Sequence, residues 1–294
     1  MSAPGHVRRL VRTLADGGAH VVVHIDARSD IEPFRETGSA ALFLADRVKV
    51  HWGGWSQVQA TLAMLRAGRE SFPDATHFWL ISGDTYPLRS VATLNAFLDR
   101  EPRAQYINVV SMPSRELQKP LTRLSHIYVE HDRNSWVHRP LMLLHDYVPR
   151  PYRRGMLPYA GSQWWTITRE AADLLLAVDV ERDSFARLAK ASFIPDEHYI
   201  QTLLGNSEFA ESIRAGLMYS DWRPGAGKVP RVLAEDNITI LEEMSGDAAK
   251  TGVGVRLVAR KFSDQTADIA DAIEERLWPL PLPAPASKRN ITKA

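Results

Sequence analysis

The chain has 294 residues, of which 45% are hydrophobic, so it is long enough for one large α/β domain with a sizeable core. Its 36 Lys and Arg nearly balance its 35 Asp and Glu, for a net charge of +1, which argues against bulk nucleic-acid binding because that normally needs a clearly basic domain. The absence of cysteine excludes disulfides, thiolate metal sites and cysteine nucleophiles.

The first half of the chain alternates helix-like and strand-like segments. Apolar residues at helical spacing predict a helix over 7–14, and the apolar run 21–25 predicts a buried strand that ends at Asp26. A short strand is predicted at 48–50. A helix is predicted from Ser56, which forms a capping-box pattern with the glutamine three residues later.

A further buried strand is predicted at 77–81, and it stops abruptly at Ser82-Gly83-Asp84. A capped helix and another strand follow within 90–110. This alternation predicts an α/β fold with a mostly parallel central sheet flanked by helices. Ligands of such open sheets bind beyond the carboxyl ends of the strands. Because Asp26 and Asp84 both fall at such ends, we expect both near a ligand.

Residues 111–160 are less regular and rich in Arg, His, Pro and Tyr, and such long stretches are usually functional or disordered. The arginines at 150–154 predict a solvated cluster, with an anionic acceptor or a membrane surface as alternative partners. A strand at 161–167 and a helix capped by Thr168 follow. Pro195-Asp196-Glu197 then begin a short amphipathic helix, and by themselves these acids indicate only a helix start.

Beyond Trp222 the chain passes through KVPRVL to a last strand at 256–259 and a helix at 266–277. We expect a single domain over 1–278 and an extended, disordered Pro-rich tail over 279–294. No apolar run approaches the roughly 18 residues that span a membrane. The first residues lack the apolar core of a signal peptide, so we expect a cytoplasmic location.

Several common chemical motifs are absent. The sequence has no Walker or GxGxxG phosphate loop, no HExxH, no GxSxG and no Asp-x-Asp at a strand end. A sugar-nucleotide enzyme that uses a divalent metal normally carries such a carboxylate pair, because Mg²⁺ or Mn²⁺ prefers oxygen ligands. If phosphates bind here, fixed cations should neutralise them, and Arg231, Arg260 and Lys261 are the candidates.

Seven segments together resemble one known family. They are VVVHIDARSD, HWGGWSQVQATLAML, FWLISGDTYPL, GSQWWTITREAADLLL, FIPDEHYIQTLL, KVPRVL and VARKF. Their order is that of the core-2/I-branching β-1,6-N-acetylglucosaminyltransferases and peptide O-xylosyltransferases (glycosyltransferase family 14), and the chain resembles a bacterial-type member from about Val7 to Ile273. The resemblance implies a GT-A-like, Rossmann-like fold, inverting transfer, a UDP-sugar donor and no essential metal.

The resemblance also implies roles for individual residues. The glutamate of the PDE motif is the family's catalytic base, here Glu197, and the diphosphate is held by Arg231 and Lys261, with Arg260 beside them. The nucleotide and sugar site is implied to include His24, Asp26, Ser82, Gly83 and Asp84, and the donor or acceptor tryptophans are Trp164, Trp165 and Trp222. His24 has the alternative interpretation of a core histidine, and Asp84 that of a turn former.

Two points about these residues follow from elementary chemistry. Side chains alternate across a strand, so at most one of Trp164 and Trp165 is expected to face a ligand. A helix start favours the ionised form of Glu197 whereas burial raises its pKa, and the sequence leaves open which effect prevails. The chain also differs from the family, because its opening strand, which usually reads I-L-A-H, is missing, as are the membrane anchor and cysteines of animal members.

The sequence therefore predicts an inverting glycosyltransferase that moves N-acetylglucosamine or xylose from UDP to a hydroxyl of a saccharide or natural product. One carboxylate that accepts the hydroxyl proton is worth roughly 10²–10⁴-fold, and positive charge at the leaving diphosphate supplies the larger, electrostatic contribution. Two alternatives remain: an inverting glycosidase with Asp84 and Glu197 as acid and base, and a non-catalytic saccharide-binding protein with a degenerate nucleotide site.

Overall fold

Helices and strands alternate along most of the chain in the computed structural model, which describes residues 3–36, 40–150, 152, 155–223, 229–246, 254–282 and 291–292. The α-helices are α1 Pro4–Asp16, α2 Glu32–Arg35, α3 Ser56–Ser71, α4 Val91–Arg100, α5 Thr122–Ser125, α6 His138–Tyr147, α7 Arg169–Ala177, α8 Ser184–Lys190, α9 Tyr199–Gly205, α10 Ile238–Met244 and α11 Ala267–Arg276. Single 3₁₀ turns occupy Pro195–Glu197, Glu208–Ser212, Glu235–Asn237 and Asp264–Thr266. Most of the predicted tail, 283–290 and 293–294, lies outside the described residues, as do Arg153 and Arg154.

The strands are short. They are β1 Val22–Val23, β2 Leu42–Phe43, β3 His77–Leu80, β4 Thr85–Pro87, β5 Gln105–Ile107, β6 Val109–Ser111, β7 Tyr159–Ala160, β8 Trp165–Thr168, β9 Ile213–Arg214, β10 Met218–Ser220, β11 Val258–Arg260 and β12 Ile291–Thr292. They form sheets in the orders β3-β8-β5-β9, β10-β11-β4, β12-β6-β7 and β1-β2. The α/β class is therefore confirmed.

The sheets are mixed, so the expectation of a mostly parallel central sheet is wrong for the described strands. In the four-stranded sheet, β8 runs antiparallel to both of its neighbours, β3 and β5, while β5 and β9 are parallel. β11 is parallel to β10 but antiparallel to β4. Apolar periodicity identifies strands but carries no information on their direction, and β8 returns to the sheet only after the long segment 112–158, which contains α5 and α6.

Two of the three predicted helix N-caps are confirmed. Ser90 and Thr168 accept hydrogen bonds from the N–H groups of Thr93 and Ala171, as N-caps should. The Ser56 capping box was wrong: α3 begins at Ser56, but its Oγ accepts from the His51 N–H at 2.7 Å. The predicted strand at 48–50 is also wrong, because this segment bonds to side chains, as described below.

Helices pack on the sheets in two main apolar clusters. The larger lies between the four-stranded sheet and helices α3, α7, α8 and α9, and contains the fully buried Ile167 and Leu204. The second packs the β10-β11-β4 sheet against α1, α10 and α11, with Tyr86 and Ile273 at its centre. Each fully buried large aliphatic side chain contributes about 1.5–3 kcal/mol, so these clusters hold the strand ends in fixed relative positions.

A cavity of about 520 Å³ separates β1 from β3. It is lined by Val22 of β1, Phe78 and Leu80 of β3, and Leu65 and Leu94 of the flanking helices. Among the described residues, none pairs with the edge of β1 opposite β2 or with the edge of β3 opposite β8. Two unpaired, apolar strand edges thus face the same empty space.

Candidate active site

The turn that carries Glu197 is held from both sides. The N–H of Ile194, the residue before this 3₁₀ turn, donates to the Gly53 carbonyl at 2.9 Å, and the Glu197 carbonyl accepts from the Gly161 N–H at 2.7 Å. Ile194 has φ 55°, a left-handed conformation that costs a β-branched residue about 1–3 kcal/mol. The predicted helix start is thus a separate turn, and α9 begins only after His198 at φ −141°.

Two cations hold the Glu197 carboxylate. Its Oε2 accepts from Lys119 Nζ and from Arg123 NH1, both at 2.6 Å. Burial favours the protonated acid, but the charges and hydrogen bonds of Lys119 and Arg123 outweigh it, so the pKa of Glu197 is lowered. The question that the sequence left open is settled by cations rather than by the helix dipole. Sequence reasoning missed both residues, and the only signal was the basic character of 111–160.

Asp196 and His198 flank Glu197, and burial shifts the pKa of both side chains. Burial, reinforced by the Glu197 charge, raises the pKa of Asp196 to about 7. Burial lowers the pKa of His198 to about 3. Within the described residues, Asp196 Oδ1 and both ring nitrogens of His198 have no hydrogen-bond partner. The interpretation of Asp196 as helix-start support is wrong, since its ionised form is disfavoured there.

A second cluster forms where β4, β10 and β11 meet. Arg260 at the end of β11 pairs with Ser220 of β10 and with Thr85 of β4, which brings Asp84 and Lys261 to one sheet edge. Arg260 donates to Asp84 at 3.1 and 3.0 Å, whereas Lys261 Nζ lies 3.7 Å away from it.

Asp84 stays ionised in this cluster. Burial raises the pKa of its carboxyl, but the Arg260 guanidinium, the Ser82 hydroxyl and the Lys261 ammonium together lower it further than burial raises it. The Ser82 Oγ donates directly to Asp84 Oδ1. The acid therefore orients the neighbouring cations and is more than a turn former.

Arg231 joins the same edge. Two residues beyond it, the Leu233 N–H donates to the Lys261 carbonyl at 2.8 Å, which places the two segments side by side. Arg231 NH1 lies 3.7 Å from the fully buried Asp221 carboxylate, and its N–H donates to the Asp221 carbonyl. Hydrogen bonds, chiefly from Arg223, lower the pKa of Asp221. Sequence reasoning missed Asp221 and Arg223, which flank the predicted Trp222.

The three predicted tryptophans differ in position. Trp165 is 4% exposed and lies in the main core, so the structure does not bring it to the site. Trp164 is half-buried, and the Arg260 guanidinium lies 4.9 Å from its ring centroid. Trp222 is 60% exposed. Alternation across the strand thus places only Trp164 of the WW pair beside the cations.

Asp26 and His24 hold the segment 48–50 at the end of β1. Asp26 accepts from the Arg28 guanidinium at 3.0 and 2.9 Å and from the Val50 N–H at 3.2 Å. His24 Nε2 accepts from the Val48 N–H at 2.9 Å. These side-chain bonds replace the strand pairing predicted at 48–50, and they give His24 a structural role in the described chain.

A polar cavity of about 420 Å³ adjoins Arg28. Trp52 is 50% exposed in its wall, with the Arg133 guanidinium 4.2 Å above the ring and the edge of Phe193 packed against it at 5.6 Å between centroids. Asp132 and His131 also line this cavity.

Arg150 is not part of an exposed cluster, because it donates to the carbonyls of Leu124 and Leu188. The solvated cluster predicted at 150–154 is wrong for this residue.

Local contacts connect these parts. Trp52 precedes Gly53, whose carbonyl accepts from the residue before the Glu197 turn, and Gly161, which donates to the Glu197 carbonyl, lies three residues before Trp164, the ring beside Arg260. Among the described residues, no three His, Asp or Glu side chains converge as a metal-binding group.

Comparison with known protein families gives a match. The family model described as Branch, Core-2/I-Branching enzyme, matches residues 7–244, which include Glu197 and Arg231 but end before Arg260 and Lys261. A comparison with curated proteins finds no match. No helix in the described ranges has both the length and the apolar character needed to cross a membrane.

Proposed function

Because the chain belongs to the core-2/I-branching enzyme family, a family of glycosyltransferases, we propose that it is an inverting, metal-independent enzyme with Glu197 as general base. It moves N-acetylglucosamine or xylose from a UDP donor to a hydroxyl of a saccharide or natural-product acceptor. The observation that carries this proposal is the Glu197 carboxylate, which Lys119 and Arg123 hold ionised.

Glu197 is prepared to accept one proton. Lys119 and Arg123 both bond to Oε2, so Oε1 has no partner among the described residues. The side chain is 27% exposed, which leaves room for a hydroxyl at Oε1. A general base must be ionised before the reaction and within hydrogen-bond reach of the proton it takes. The two cations keep the base ionised and fix its orientation.

The leaving diphosphate would bind at the cations Arg231, Arg260 and Lys261. Arg260 is bound to Asp84 by two hydrogen bonds, whereas Lys261 and Arg231 approach their carboxylates only to 3.7 Å. The loosely held pair can therefore turn to phosphate oxygens while Arg260 stays in place. Preorganised positive charge at the leaving group costs no reorganisation during the reaction.

The reaction then follows from this order. The acceptor hydroxyl gives its proton to Glu197 Oε1 as its oxygen forms a bond to the anomeric carbon, and the bond from that carbon to the diphosphate oxygen breaks with its electron pair. Attack from the face opposite the leaving group inverts the configuration. Ser82 and Gly83 would line the sugar, Trp164 and Trp222 would flank it, and His24 and Asp26 would belong to the nucleotide site.

The glycosidase alternative is disfavoured by the state of Asp84. A general acid in glycoside hydrolysis needs a raised pKa so that it holds a proton at working pH. The pKa of Asp84 is lowered instead, and so is that of Glu197. Two ionised carboxylates cannot provide the acid half of that mechanism.

Calorimetric titration with UDP, with and without EDTA, tests the proposal. UDP binding that EDTA leaves unchanged supports the proposal. Binding that is lost with EDTA contradicts metal independence, and the absence of binding contradicts a UDP donor.

Glu197→Gln should keep UDP affinity and lose transfer activity by about 10²-fold or more. Glu181→Gln, at an exposed pair with Lys190, is the matched control. Full activity in Glu197→Gln would refute the base assignment.

A further inference from the structure

The edge of β1 that faces the cavity between β1 and β3 carries unpaired backbone groups. On the other edge, the carbonyls of Val21 and Val23 accept from the N–H groups of Leu42 and Leu44 of β2. Alternate residues of a strand direct their N–H and C=O groups to opposite edges. Those of Val22, which lines the cavity, therefore point away from β2.

The facing edge of β3 has the same character. The Arg169 N–H donates to the Thr76 carbonyl at 2.9 Å, in register with the antiparallel pairing of β3 and β8. Hydrogen-bonded pairs alternate along such a ladder, so the N–H and C=O groups of His77 and Trp79 point away from β8. Both residues line the cavity. Backbone donors and acceptors thus face the cavity from two sides.

Helices cover both faces of the gap between these edges. A Cβ on Gly68 of α3 would lie 3.3 Å from the Phe78 ring and 3.6 Å from the Val22 side chain, so α3 contacts both strands. Trp79 instead packs on the apolar cluster of α4, and Val23 on that of α1. Successive side chains of a strand point to opposite faces, so α1 and α4 lie opposite α3.

We propose that this cavity binds an extended, apolar segment of another polypeptide as a strand between β1 and β3. An extended backbone offers donors and acceptors to both edges at once. Because helices cover both faces, the segment should be apolar on both sides, like a buried strand of a parallel sheet. β3 has four residues, so at about 3.3 Å per residue the cavity matches a segment of four or five residues.

A small apolar ligand would fit this cavity less well. It would cover the apolar side chains but leave the backbone groups of Val22, His77 and Trp79 without a strand partner, as they are among the described residues. A peptide strand satisfies these groups and fills the same space. The geometry of the two edges therefore favours a peptide.

Strand binding would join two sheets into one. The order β2-β1 would continue through the bound strand into β3-β8-β5-β9. β1 and β3 lead to Asp26 and Asp84, so the positions of these two acids would be fixed by one continuous hydrogen-bonded sheet. Strand binding goes beyond the proposed transfer reaction and does not depend on it, because it requires only the two edges and the covering helices.

Calorimetry with the peptide acetyl-KVVIVVK-amide tests the inference on the full chain. The matched control is the same peptide N-methylated at alternate residues, which keeps the apolar side chains but removes the N–H donors along one edge. Each lost hydrogen bond is worth about 0.5–1.5 kcal/mol, so the control should bind about tenfold more weakly or worse. On binding of the unmodified peptide, hydrogen exchange at the amides of Val22, His77 and Trp79 should slow about tenfold or more.

A substitution inside the cavity gives a second test. Leu94→Trp adds volume from α4 to the cavity that Leu94 lines, so it should lower peptide affinity about tenfold or more. Leu143→Trp makes the same change at an exposed position of α6 and should leave the affinity unchanged. Melting temperatures check that both variants are folded.

Three results would overturn the inference. The first is a wild-type chain that does not bind the unmodified peptide. The second is equal affinity for the N-methylated peptide, which would identify a pocket for small apolar ligands instead. The third is binding without slower exchange at Val22, His77 and Trp79, which would place the peptide elsewhere. All three comparisons use the wild-type chain, so they decide the matter even if Leu94→Trp does not fold.

Discussion

Asp196→Asn should stabilise the protein at neutral pH and leave it unchanged in acid. The Asp196 residue is half-buried as a whole, but its Oδ1 is shielded from water and has no partner in the described chain. Burial first, and the ionised Glu197 second, raise the pKa of its carboxyl from 3.8 to about 7. Asparagine has nearly the same shape and cannot ionise, so it removes the charge without opening a cavity.

The magnitude follows from the shift. A pKa of about 7 against 3.8 in the unfolded chain is about three units, and each unit corresponds to about 1.4 kcal/mol, or about 4 kcal/mol in all. The folded state favours the protonated acid. The contribution of Asp196 to the free energy of unfolding is therefore fully present below pH 3.8 and is lost as pH rises to about 7. Relaxation around the ionised group would reduce the loss to about 2–4 kcal/mol.

Urea denaturation followed by tryptophan fluorescence, from about pH 4 to about pH 8, measures this difference. The free energy of unfolding of Asp196→Asn should exceed that of the wild type by about zero near pH 4 and by about 2–4 kcal/mol near pH 8. His198 titrates with the opposite sign: its pKa is lowered to about 3, so its contribution is lost as pH falls, and it cancels in the comparison. Asp268→Asn on the exposed face of α11 is the control. A gain that does not vary with pH would refute the reasoning.

Three further outcomes are expected. Lys119→Met removes one of the two cations on Glu197, so the pKa of the base should rise and the acidic limb of the pH–rate profile should move to higher pH. Lys261→Ala should weaken UDP binding about tenfold or more in calorimetry, and unchanged affinity would exclude it as a phosphate ligand. Gly161→Ala would place a Cβ 1.7 Å from the Asn108 carbonyl oxygen and should cost more than about 3 kcal/mol, whereas Gly155→Ala meets nothing within 4 Å and should leave the melting temperature unchanged.

Local signals predicted the elements of this fold better than their arrangement. Ser90 and Thr168 were read as caps because an N-cap depends on the chain within three residues of it. The direction of β8 between β3 and β5 depends on pairings with residues about 60 and 90 positions away, which no window of the sequence contains. The segment 48–50 has strand-like composition, but its N–H groups bond to His24 and Asp26 instead of to another strand.

The residues of the candidate site were also only partly predictable from the sequence. Resemblance identified Glu197, Arg231 and Lys261 as candidates, and the structure brings the last two to one sheet edge. Lys119 and Arg123 belong to no recognisable motif, since they lie 78 and 74 residues from the carboxylate that they bind. Which cations lower the pKa of an acid depends on distances in the folded chain, so the structure is needed to identify them.

The cavity between β1 and β3 has a mechanical consequence. Interiors are normally packed as densely as organic crystals, and a partly open cavity of about 520 Å³ lowers the packing density on this side of the molecule and so makes it more compressible. The volume decrease on unfolding grows with the void that unfolding eliminates, so hydrostatic pressure should open the β1–β3 side first. Heat acts on the chain as a whole, whereas pressure acts first where the described fold is packed least densely.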